Sequence, residues 1–276
     1  MDSDNPKVAV LSINIGNYIR YWEEFYLTCK NNFLPGYEKH FFVFSDQEQI
    51  EYEHEPDVTL IHQDDLGWPG NTLYRYHMFC RIDDILLGFD YVFYANANLI
   101  FEMKVDESVL PSKGEKLVFV RRDQPYLAKE KQLPYESNPQ STAYVNSEQN
   151  SLYVRGGFNG GRSDAFISMC RTLKHNIDID EKNGIVAVWH DESHITKYAI
   201  DHQKEAKILF PGYLYPKGWV MPYSKKILIR PKDNGEVRYG VKQKNIKKIK
   251  HKLFLICRNL IYSFLIAVRI LPFENG

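Results

Sequence analysis

The sequence predicts an α/β protein with a largely parallel central sheet, because strand-like and helical runs alternate over its first hundred residues. The strand-like runs are KVAVLSI at 7–13, KHFFVFS at 39–45, VTLIH at 58–62 and FDYVFYAN at 89–96. Runs this apolar are typical of strands that helices cover on both faces. Residues 7–100 are therefore predicted to form a Rossmann-like half.

Helical segments link these strands. Residues 18–33 end before a Pro-Gly pair and place five side chains on one helical face, namely Tyr18, Trp22, Phe25, Tyr26 and Cys29. Residues 74–86, YRYHMFCRIDDIL, repeat the pattern. The rest of the chain is more irregular, with a strand-like run at 116–122 and a helix at 162–184 for which Ser163 is the candidate N-cap.

The glycine-rich stretch GGFNGG at 156–161 has no Lys-Ser or Lys-Thr after it, which excludes a P-loop, and it does not match G-x-G-x-x-G. Because glycine lacks a Cβ atom, the paired glycines suit either a tight turn or a backbone surface pressed against a bulky ligand such as a sugar. The residues alone leave both interpretations open.

Composition narrows the class of protein. With 44% hydrophobic and 25% charged residues, the chain is expected to fold. Lys plus Arg and Asp plus Glu both number 35, which gives no argument for a nucleic-acid partner. The four cysteines are too widely spaced for a zinc knuckle or a disulfide framework, and the first apolar run is too short for a signal or anchor segment. We therefore expect a cytoplasmic protein.

Asn96 and Asn98 close the fourth strand-like run, in the stretch YANANLIF at 94–101. Residues i and i+2 of a strand share a face, and ligands of open α/β sheets lie at the carboxyl ends of the strands. Two carboxylates at this spacing would hold Mg²⁺ or Mn²⁺ against a phosphate, whereas neutral amides supply no charge. The stretch has the spacing of a metal site without its chemistry.

The densest cluster of titratable groups is WHDESH at 189–194. His190 and His194 approach the H-E-x-x-H zinc helix, but Asp191 stands in the general-base position and no third ligand is evident. A second interpretation makes Asp191 and Glu192 carboxylates of a sugar-transfer centre, where one can attack the anomeric carbon or stabilise the developing cation. In a third interpretation, the block is simply the charged, solvated start of a helix, with His and Asp as caps.

The longer stretch NGIVAVWHDESHITKY at 183–198 resembles the signature of glycosyltransferase family 6, which includes the animal blood-group A and B transferases. NPQSTAY at 138–144, RGGFNGG at 155–161, FPGYLYPKGW at 210–219 and RPKDNGEVR at 230–238 occur in the family's order. The resemblance covers residues 8–240. It implies a GT-A-like fold with a mixed central sheet and a catalytic domain at 1–240, in which 7–100 bind nucleotide and 101–240 bind acceptor and donor sugar. The resemblance does not cover residues 241–276, whose composition predicts a basic amphipathic helical tail.

The resemblance also implies a reaction and its residues. Similar enzymes move galactose or N-acetylgalactosamine from a UDP-sugar, with retention, to the 3-hydroxyl of a galactose. Carried over by motif, Glu192 lies beneath the anomeric carbon as nucleophile or cation stabiliser, and Asp191 holds donor-sugar hydroxyls. Trp189 and His190 shape the acceptor pocket, and Tyr18 stacks on uracil. The other implied donor contacts are Ile13, Ile15, Arg75, Arg155, Gly156 and Gly157.

At 96–98 the family pattern is Asp-x-Asp, which binds Mn²⁺, whereas Asn-Ala-Asn resembles the bacterial branch that works without a divalent ion. The resemblance thus implies no cofactor. Fixed cations would then stabilise the charge that develops on the β-phosphate. Lys232 and Arg238 are the first candidates and Arg155 is another, while Asn96 and Asn98 could hydrogen-bond ribose or sugar hydroxyls.

The expected donor is UDP-N-acetylgalactosamine, because Gly157 resembles the position where a small residue leaves room for the N-acetyl group. The expected acceptor is a fucosylated galactose of the blood-group H type. The alternatives are an α-1,3-galactosyltransferase that uses UDP-galactose and a carbohydrate-binding protein that has lost turnover.

The chain changes character after residue 240, where a lysine-rich stretch without acids leads into an apolar run. The run from Leu253 to Leu271 approaches the length of a membrane span but contains Arg258, Asn259 and Arg269. We expect an interfacial helix that contacts the inner face of the membrane peripherally through residues 244–272. A helix that binds a protein partner is the alternative.

Overall fold

The computed structural model describes residues 5–122, 133–148, 152–232, 241–268 and 273–274, and of residues 241–251 the backbone alone. In chain order the strands are β1 Lys7–Ile13, β2 Glu38–Ser45, β3 Val58–His62, β4 Tyr91–Ala95, β5 Leu99–Ile100, β6 Leu117–Arg121, β7 Val154–Arg162, β8 Ala206–Leu209, β9 Tyr215–Pro216 and β10 Leu228–Ile229. The helices are α1 Trp22–Asn32, α2 Gly67–Leu73, α3 Arg75–Phe79, α4 Asp83–Leu86, α5 Ser163–Lys182, α6 Asp191–Asp201 and α7 Val241–Ala267.

A seven-stranded sheet in the order β3-β2-β1-β4-β7-β6-β8 confirms the predicted α/β architecture. The four strand-like runs of the first half coincide with β1 to β4, and these strands pair in parallel. β7 runs antiparallel to both β4 and β6, so the whole sheet is mixed. β2 and β4 flank β1 on opposite sides, which opens a crevice at the carboxyl ends of β1 and β4.

Helices cover both faces of this sheet, and each face has its own core. Trp22 and Phe25 of α1 pack with Phe41 and Phe93 on one side. On the other side, the cluster combines residues of α3, α5 and α6 with sheet residues. Burial of each such side chain contributes about 1.5–3 kcal/mol. The buried faces explain why the strands read as continuous apolar runs.

The first predicted helix is divided. Residues Gly16–Tyr21 form 3₁₀ turns, and α1 begins only at Trp22. Trp22, Phe25, Tyr26 and Cys29 are buried as predicted. Tyr18 does not join that buried face, and it lies half-buried at the edge of the crevice.

The helix at 162–184 is confirmed as α5, but Ser163 is its first residue and Arg162 is its N-cap. The prediction of Ser163 as the N-cap was therefore wrong. The Ser163 hydroxyl is buried and donates to the carbonyl of Leu86, so this side chain joins α5 to the segment before β4.

The glycines of GGFNGG lie in β7, within the sheet, and do not form a tight turn. A Cβ atom on Gly160 would stand 2.3 Å from Cδ1 of Phe93, and one on Gly161 would stand 2.3 Å from the carbonyl oxygen of Lys116. The second glycine pair is therefore required by close packing against β4 and the chain leading into β6. Gly156 and Gly157 have a different environment, which belongs to the crevice.

A second, three-stranded sheet in the order β5-β10-β9 extends from this crevice. β5 directly follows Asn98, and β10 is followed by Arg230, so this small sheet connects the end of β4 to the segment that carries Lys232. Arg238, the second predicted cation, lies outside the described residues.

Candidate active site

The crevice at the carboxyl ends of β1 and β4 gathers most of the predicted residues. Ile13 ends β1, Ile15 is buried just beyond it, and Tyr18 follows in the 3₁₀ turns. β7 pairs antiparallel with β4, and α6 begins at Asp191 with its first turn against the glycine backbone of β7. The predicted residues are thus brought together from stretches that are distant along the chain.

Glu192 is held by two hydrogen bonds. The backbone N–H of Gly156 donates to Oε2 at 2.9 Å, and the hydroxyl of Tyr153 donates to Oε1 at 3.0 Å. Burial raises the pKa of Tyr153, and the adjacent Glu192 charge raises it further, so the phenol remains a donor. Both carboxylate oxygens are consequently fixed in orientation, with the backbone of β7 as the support.

Asp191 and Arg75 form a buried ion pair. Asp191 Oδ2 lies 3.1 Å from Arg75 Nη2, and each side chain is only 5% exposed. Arg75 also donates to the carbonyl of Gly156 at 2.8 Å and lies 4.5 Å over the ring of Tyr94. Three contacts from one guanidinium therefore tie α3, β4, β7 and α6 together.

Burial raises the pKa of Asp191 to about 6, and it outweighs the opposing charge of Arg75. The neighbouring Glu192 charge raises this pKa further. Burial disfavours the charged form of Arg75, but the charges of Asp191 and its neighbours stabilise the cation, and the pKa of Arg75 is raised. Although Oδ2 is close to Arg75, it makes no aligned hydrogen bond with any described residue. A buried oxygen in this state can still accept a hydrogen bond from a ligand hydroxyl.

Gly157 faces Asn96. A Cβ atom on Gly157 would stand 3.1 Å from Asn96 Nδ2 and 3.4 Å from Leu214 Cδ2. The backbone N–H of Asn96 donates to the Gly157 carbonyl at 2.9 Å, and the Tyr94 hydroxyl donates to Asn96 Oδ1. The position of Asn96 therefore depends on the absence of a side chain at Gly157.

Asn98 does not share the surroundings of Asn96. β4 ends at Ala95 and residues 97 and 98 lie in a turn, so the common strand face predicted for the two amides is wrong. Asn98 is fully buried, and its Nδ2 donates to the carbonyl of Arg230 at 2.7 Å. Its amide thus anchors the small sheet beside the crevice.

These two asparagines do not fit a divalent cation. Both are neutral, Asn96 Oδ1 already accepts a hydrogen bond from Tyr94, and the two amides contact different segments. Asn98 Oδ1 is buried without a hydrogen-bond partner among the described residues, but one neutral oxygen is a poor ligand set for Mg²⁺ or Mn²⁺. The described residues contain no group of three or more His, Cys, Asp or Glu side chains placed to hold a metal.

Lys232 reaches the crevice from the segment after β10. Its Nζ lies 5.7 Å from the centroid of the Tyr18 ring. The residue has an exposed surface, yet the surrounding protein partly desolvates the ammonium group and lowers its pKa, as does Arg75. Asp191 and Glu192 oppose that shift, so Lys232 is within electrostatic range of both carboxylates.

Arg155 is held from β7 by the segment before β9. Its Nη1 donates to the carbonyl of Leu214 at 2.7 Å, and burial lowers the pKa of the guanidinium, while the Glu192 charge opposes that effect. This arginine therefore lies on the Glu192 side of the crevice.

His190 and His194 face different surroundings, which removes the shared ligand face of a zinc helix. His194 is buried with Nε2 3.8 Å from Asp180 Oδ2, and burial lowers its pKa to about 4. Asp180 in turn accepts hydrogen bonds from the Ser141 hydroxyl and the Thr142 N–H. His194 thus packs where the NPQSTAY segment is attached to α5 and α6.

An exposed aromatic group stands next to Glu192. Trp189 is 49% exposed, and the ring of His190 lies edge-to-face with Trp68 at 5.0 Å. Trp68 is 79% exposed and was missed by the sequence reasoning, although a tryptophan in the stretch Gly-Trp-Pro-Gly is a recognisable signal. Exposed aromatic rings beside a fixed carboxylate suit the apolar face of a sugar.

Comparison with known proteins gives a consistent result. The model of glycosyltransferase family 6 matches residues 3–251. The chain is 28% identical over 241 residues to the O-antigen biosynthesis glycosyltransferase WbnI of Escherichia coli, a match covering 87% of this chain and 99% of that protein. It is 25% identical over 269 residues to the histo-blood group ABO system transferase 1 of Rattus norvegicus, a match covering 90% of this chain and 69% of that protein.

A third relative is the globoside alpha-1,3-N-acetylgalactosaminyltransferase 1 of Homo sapiens, 25% identical over 235 residues, or 81% of this chain and 65% of that protein. The resemblance inferred from the motifs is confirmed, and with it the GT-A-like fold.

Proposed function

Because the chain belongs to glycosyltransferase family 6, and is thus a hexosyltransferase with a nucleotide-sugar donor and a glycan acceptor, we propose a specific reaction for it. The enzyme moves N-acetylgalactosamine from UDP-N-acetylgalactosamine, with retention, to the 3-hydroxyl of a galactose in a fucosylated, H-type acceptor. It does so without a divalent metal. The runner-up is transfer of galactose from UDP-galactose by the same site.

The observation that carries the catalytic part is the double support of Glu192 by the Gly156 N–H and the Tyr153 hydroxyl. A retaining transfer develops positive charge at the anomeric carbon, and a fixed carboxylate beneath it can attack that carbon or stabilise the cation. Two donors from the protein hold the carboxylate in one orientation before the sugar arrives, which reduces the reorganisation needed at the reacting atom.

Asp191 is proposed to accept hydrogen bonds from donor-sugar hydroxyls. Its Oδ2 is buried, lies beside Arg75 and has no hydrogen-bond donor among the described residues. Sugar hydroxyls can supply that donor, and the Arg75 charge keeps the carboxylate in place while the site is empty.

Metal-independent transfer is supported by the chemistry of the residues at the end of β4 and by the cations near them. Asn96 and Asn98 are neutral, Asn96 Oδ1 already accepts a hydrogen bond from Tyr94, and Asn98 Nδ2 donates one to the carbonyl of Arg230. The departing UDP gains negative charge, and Lys232 is the described cation beside Tyr18, the proposed uracil platform. Arg238 remains proposed as a second cation on its motif alone.

The donor assignment rests on Gly157 and on the name of one relative, the human globoside N-acetylgalactosaminyltransferase. The fucosylated acceptor rests on the family resemblance, with Trp189 and His190 at its pocket. The expected contact of residues 244–272 with a membrane is a separate proposal, because it depends on the tail helix and not on this site.

The test is a transfer assay that offers UDP-N-acetylgalactosamine and UDP-galactose with fucosylated and unfucosylated galactosides, in the presence of EDTA. We expect transfer of N-acetylgalactosamine to the fucosylated acceptor at a rate that added Mn²⁺ does not raise. A strict requirement for Mn²⁺, or faster transfer of galactose, would contradict the corresponding part of the proposal.

The matched variant is Glu192→Gln, which keeps the shape of the side chain and removes its charge. We expect it to bind UDP-N-acetylgalactosamine while transfer falls by orders of magnitude. A wild-type chain that binds the sugars without any turnover would instead identify a carbohydrate-binding protein.

A further inference from the structure

The tail helix α7 is attached to the catalytic domain by its polar side chains. Arg258 is 6% exposed, lies 3.8 Å over the ring of Trp219, and donates to the carbonyl of Val220 at 3.1 Å. Asn259 accepts from the Val220 N–H at 2.9 Å and donates to the Gly218 carbonyl at 2.8 Å. The polar residues in the middle of α7 therefore face the protein.

The chain beyond α7 is attached as well. The Glu274 N–H donates to the Pro222 carbonyl at 2.8 Å, and the Ser224 N–H donates to the Glu274 carbonyl at 2.9 Å. The Glu274 carboxylate pairs with Arg121 at 2.8 Å. The residues after α7 that the structure describes are thus held against the catalytic domain, and the contacts of Arg258 and Asn259 set which side of α7 faces it.

The opposite side of α7 is apolar and exposed. Seven large side chains there are 43–66% exposed, namely Leu253, Phe254, Ile256, Leu260, Ile261, Phe264 and Val268. Leu253, Leu260 and Phe264 are seven and four residues apart, which places them on one side of the helix. We define these seven residues as the outer face. A helix on the surface of a soluble domain normally shows water the reverse arrangement, with polar residues outward.

Charge indicates what covers the outer face. The α7 sequence from 241 to 252 contains six lysines, and no acidic residue occurs between 241 and 268. A second copy of the chain would bring another acid-free, lysine-rich helix against this one, so neither helix would offer acidic partners to the lysines of the other. Anionic lipid headgroups supply the opposite charge, and the acyl region beneath them accepts the apolar side chains.

The geometry also indicates how the helix would meet a bilayer. In the described part of the chain, no helix is long and apolar enough to cross a membrane. Arg258 and Asn259 lie midway along the apolar run and are engaged by residues 218–220. The outer face extends along roughly 24 Å of helix at about 1.5 Å per residue. Such a helix suits a position parallel to the surface, with its docked side away from the lipid.

We propose that the outer face of α7 is an interfacial membrane-binding surface that takes anionic phospholipid. Its residues, 253–268, lie beyond residues 3–251, to which the family model applies. The surface would therefore hold the enzyme at a lipid interface without contributing to the transfer chemistry, and it does not depend on the proposed donor or acceptor.

The test is co-sedimentation of the full chain with vesicles of phosphatidylcholine, with or without phosphatidylglycerol. We expect binding to the anionic vesicles, weakened by added salt. Leu260→Ser/Phe264→Ser should lower the bound-to-free ratio by about tenfold or more, because two apolar side chains leave the interface. The matched control is Ile85→Ser/Leu87→Ser, since Ile85 and Leu87 are 55% and 53% exposed outside α7, and it should bind like the parent.

Equal binding of parent and Leu260→Ser/Phe264→Ser would overturn the proposal, as would a parent that binds neither kind of vesicle. A parent that is dimeric in solution and becomes monomeric in this variant, without vesicle binding, would assign the outer face to a second copy and also overturn it. Thermal unfolding midpoints like that of the parent verify folding. Absence of transfer in every variant and the parent would refute the proposed function while leaving the vesicle result valid.

Discussion

The carboxylate of Asp191 lies 3.1 Å from the guanidinium of Arg75, with both side chains nearly inaccessible to water. The pair joins the first turn of α6 to α3, next to the backbone of Gly156 that supports Glu192. Arg75 therefore contacts Asp191 without being adjacent to it in sequence. Three of the expected outcomes below depend on this arrangement.

The pH dependence of activity should depend on Asp191. Burial raises its pKa from 3.8 to about 6. The ionised carboxylate, which accepts hydrogen bonds from the donor sugar in the proposed mechanism, therefore becomes the major form only above that pH. We expect kcat/KM to rise along an acidic limb centred near pH 6 and Asp191→Asn to lose that limb. An unchanged acidic limb in Asp191→Asn would assign the titration to another group.

The contribution of Asp191 to folding stability should fall as the pH rises, whereas its contribution to activity should increase. The folded state keeps the proton more tightly than the unfolded chain, so this stabilisation is fully present below about pH 3.8 and is lost as the pH rises through about 6. Comparing urea unfolding of the parent and Asp191→Asn across that range isolates the contribution. A difference between the two that does not vary with pH would contradict it.

Replacement of Arg75 should destabilise the protein strongly. In Arg75→Met the Asp191 carboxylate remains buried without its cation, which costs about 3–5 kcal/mol in the free energy of unfolding. The double variant Arg75→Met/Asp191→Asn removes the unpaired charge and should recover part of that loss. Chemical denaturation at neutral pH measures both. If the double variant were less stable than Arg75→Met by the full Asp191→Asn effect, the two residues would not be coupled.

Tyr153→Phe should show how much the orientation of Glu192, as distinct from its charge, contributes to the rate of transfer. The variant removes one of two hydrogen bonds and leaves the Gly156 N–H in place, so kcat should fall by about tenfold, in line with roughly 1–1.5 kcal/mol. The affinity for the UDP-sugar should be unchanged by calorimetry. A loss as large as that of Glu192→Gln would show that Tyr153 has a further role.

Donor preference should respond to Gly157. In Gly157→Ala the added methyl group would stand 3.1 Å from Asn96 Nδ2, so the Asn96 side chain must move by a few tenths of an ångström. We expect the ratio of kcat/KM for UDP-N-acetylgalactosamine over UDP-galactose to fall by about tenfold. The control is Gly88→Ala, in which the added methyl group would stand 3.3 Å from the carbonyl oxygen of Ile85, outside the crevice. An unchanged ratio in Gly157→Ala would remove this glycine from the account of donor choice.

Lys232 should matter through its charge. Lys232→Met removes the cation beside Tyr18, and we expect transfer to fall by about a hundredfold or more, with partial retention in Lys232→Arg. The control is Lys113→Met, which should leave the rate unchanged, because Lys113 is an exposed lysine more than a hundred residues before Lys232 in the sequence. If Lys232→Met transferred sugar at the parent rate in EDTA, another group must stabilise the departing UDP.

The sequence by itself determined the parallel half of the sheet, the long helix α5 and the family. Apolar runs flanked by helical spacing report which residues are buried, and burial is a local property of each strand and helix. The WHDESH block singled out Asp191 and Glu192 as candidates, and their proposed roles come from the family resemblance. The bounds of β1 and β3 were predicted to the residue.

Other features depended on contacts between distant parts of the chain. Sequence spacing does not reveal that Gly156 supports Glu192 or that Asp191 pairs with Arg75, because the pairing of β7 with β4 and the packing of α6 and α3 decide these contacts. It does not reveal the separation of Asn96 from Asn98 either, because a turn after Ala95 decides it. The same holds for α7. Its composition shows that it is basic and apolar, but only its docking through Arg258 and Asn259 decided that the apolar side faces outward, since local periodicity does not specify which neighbour a helix packs against.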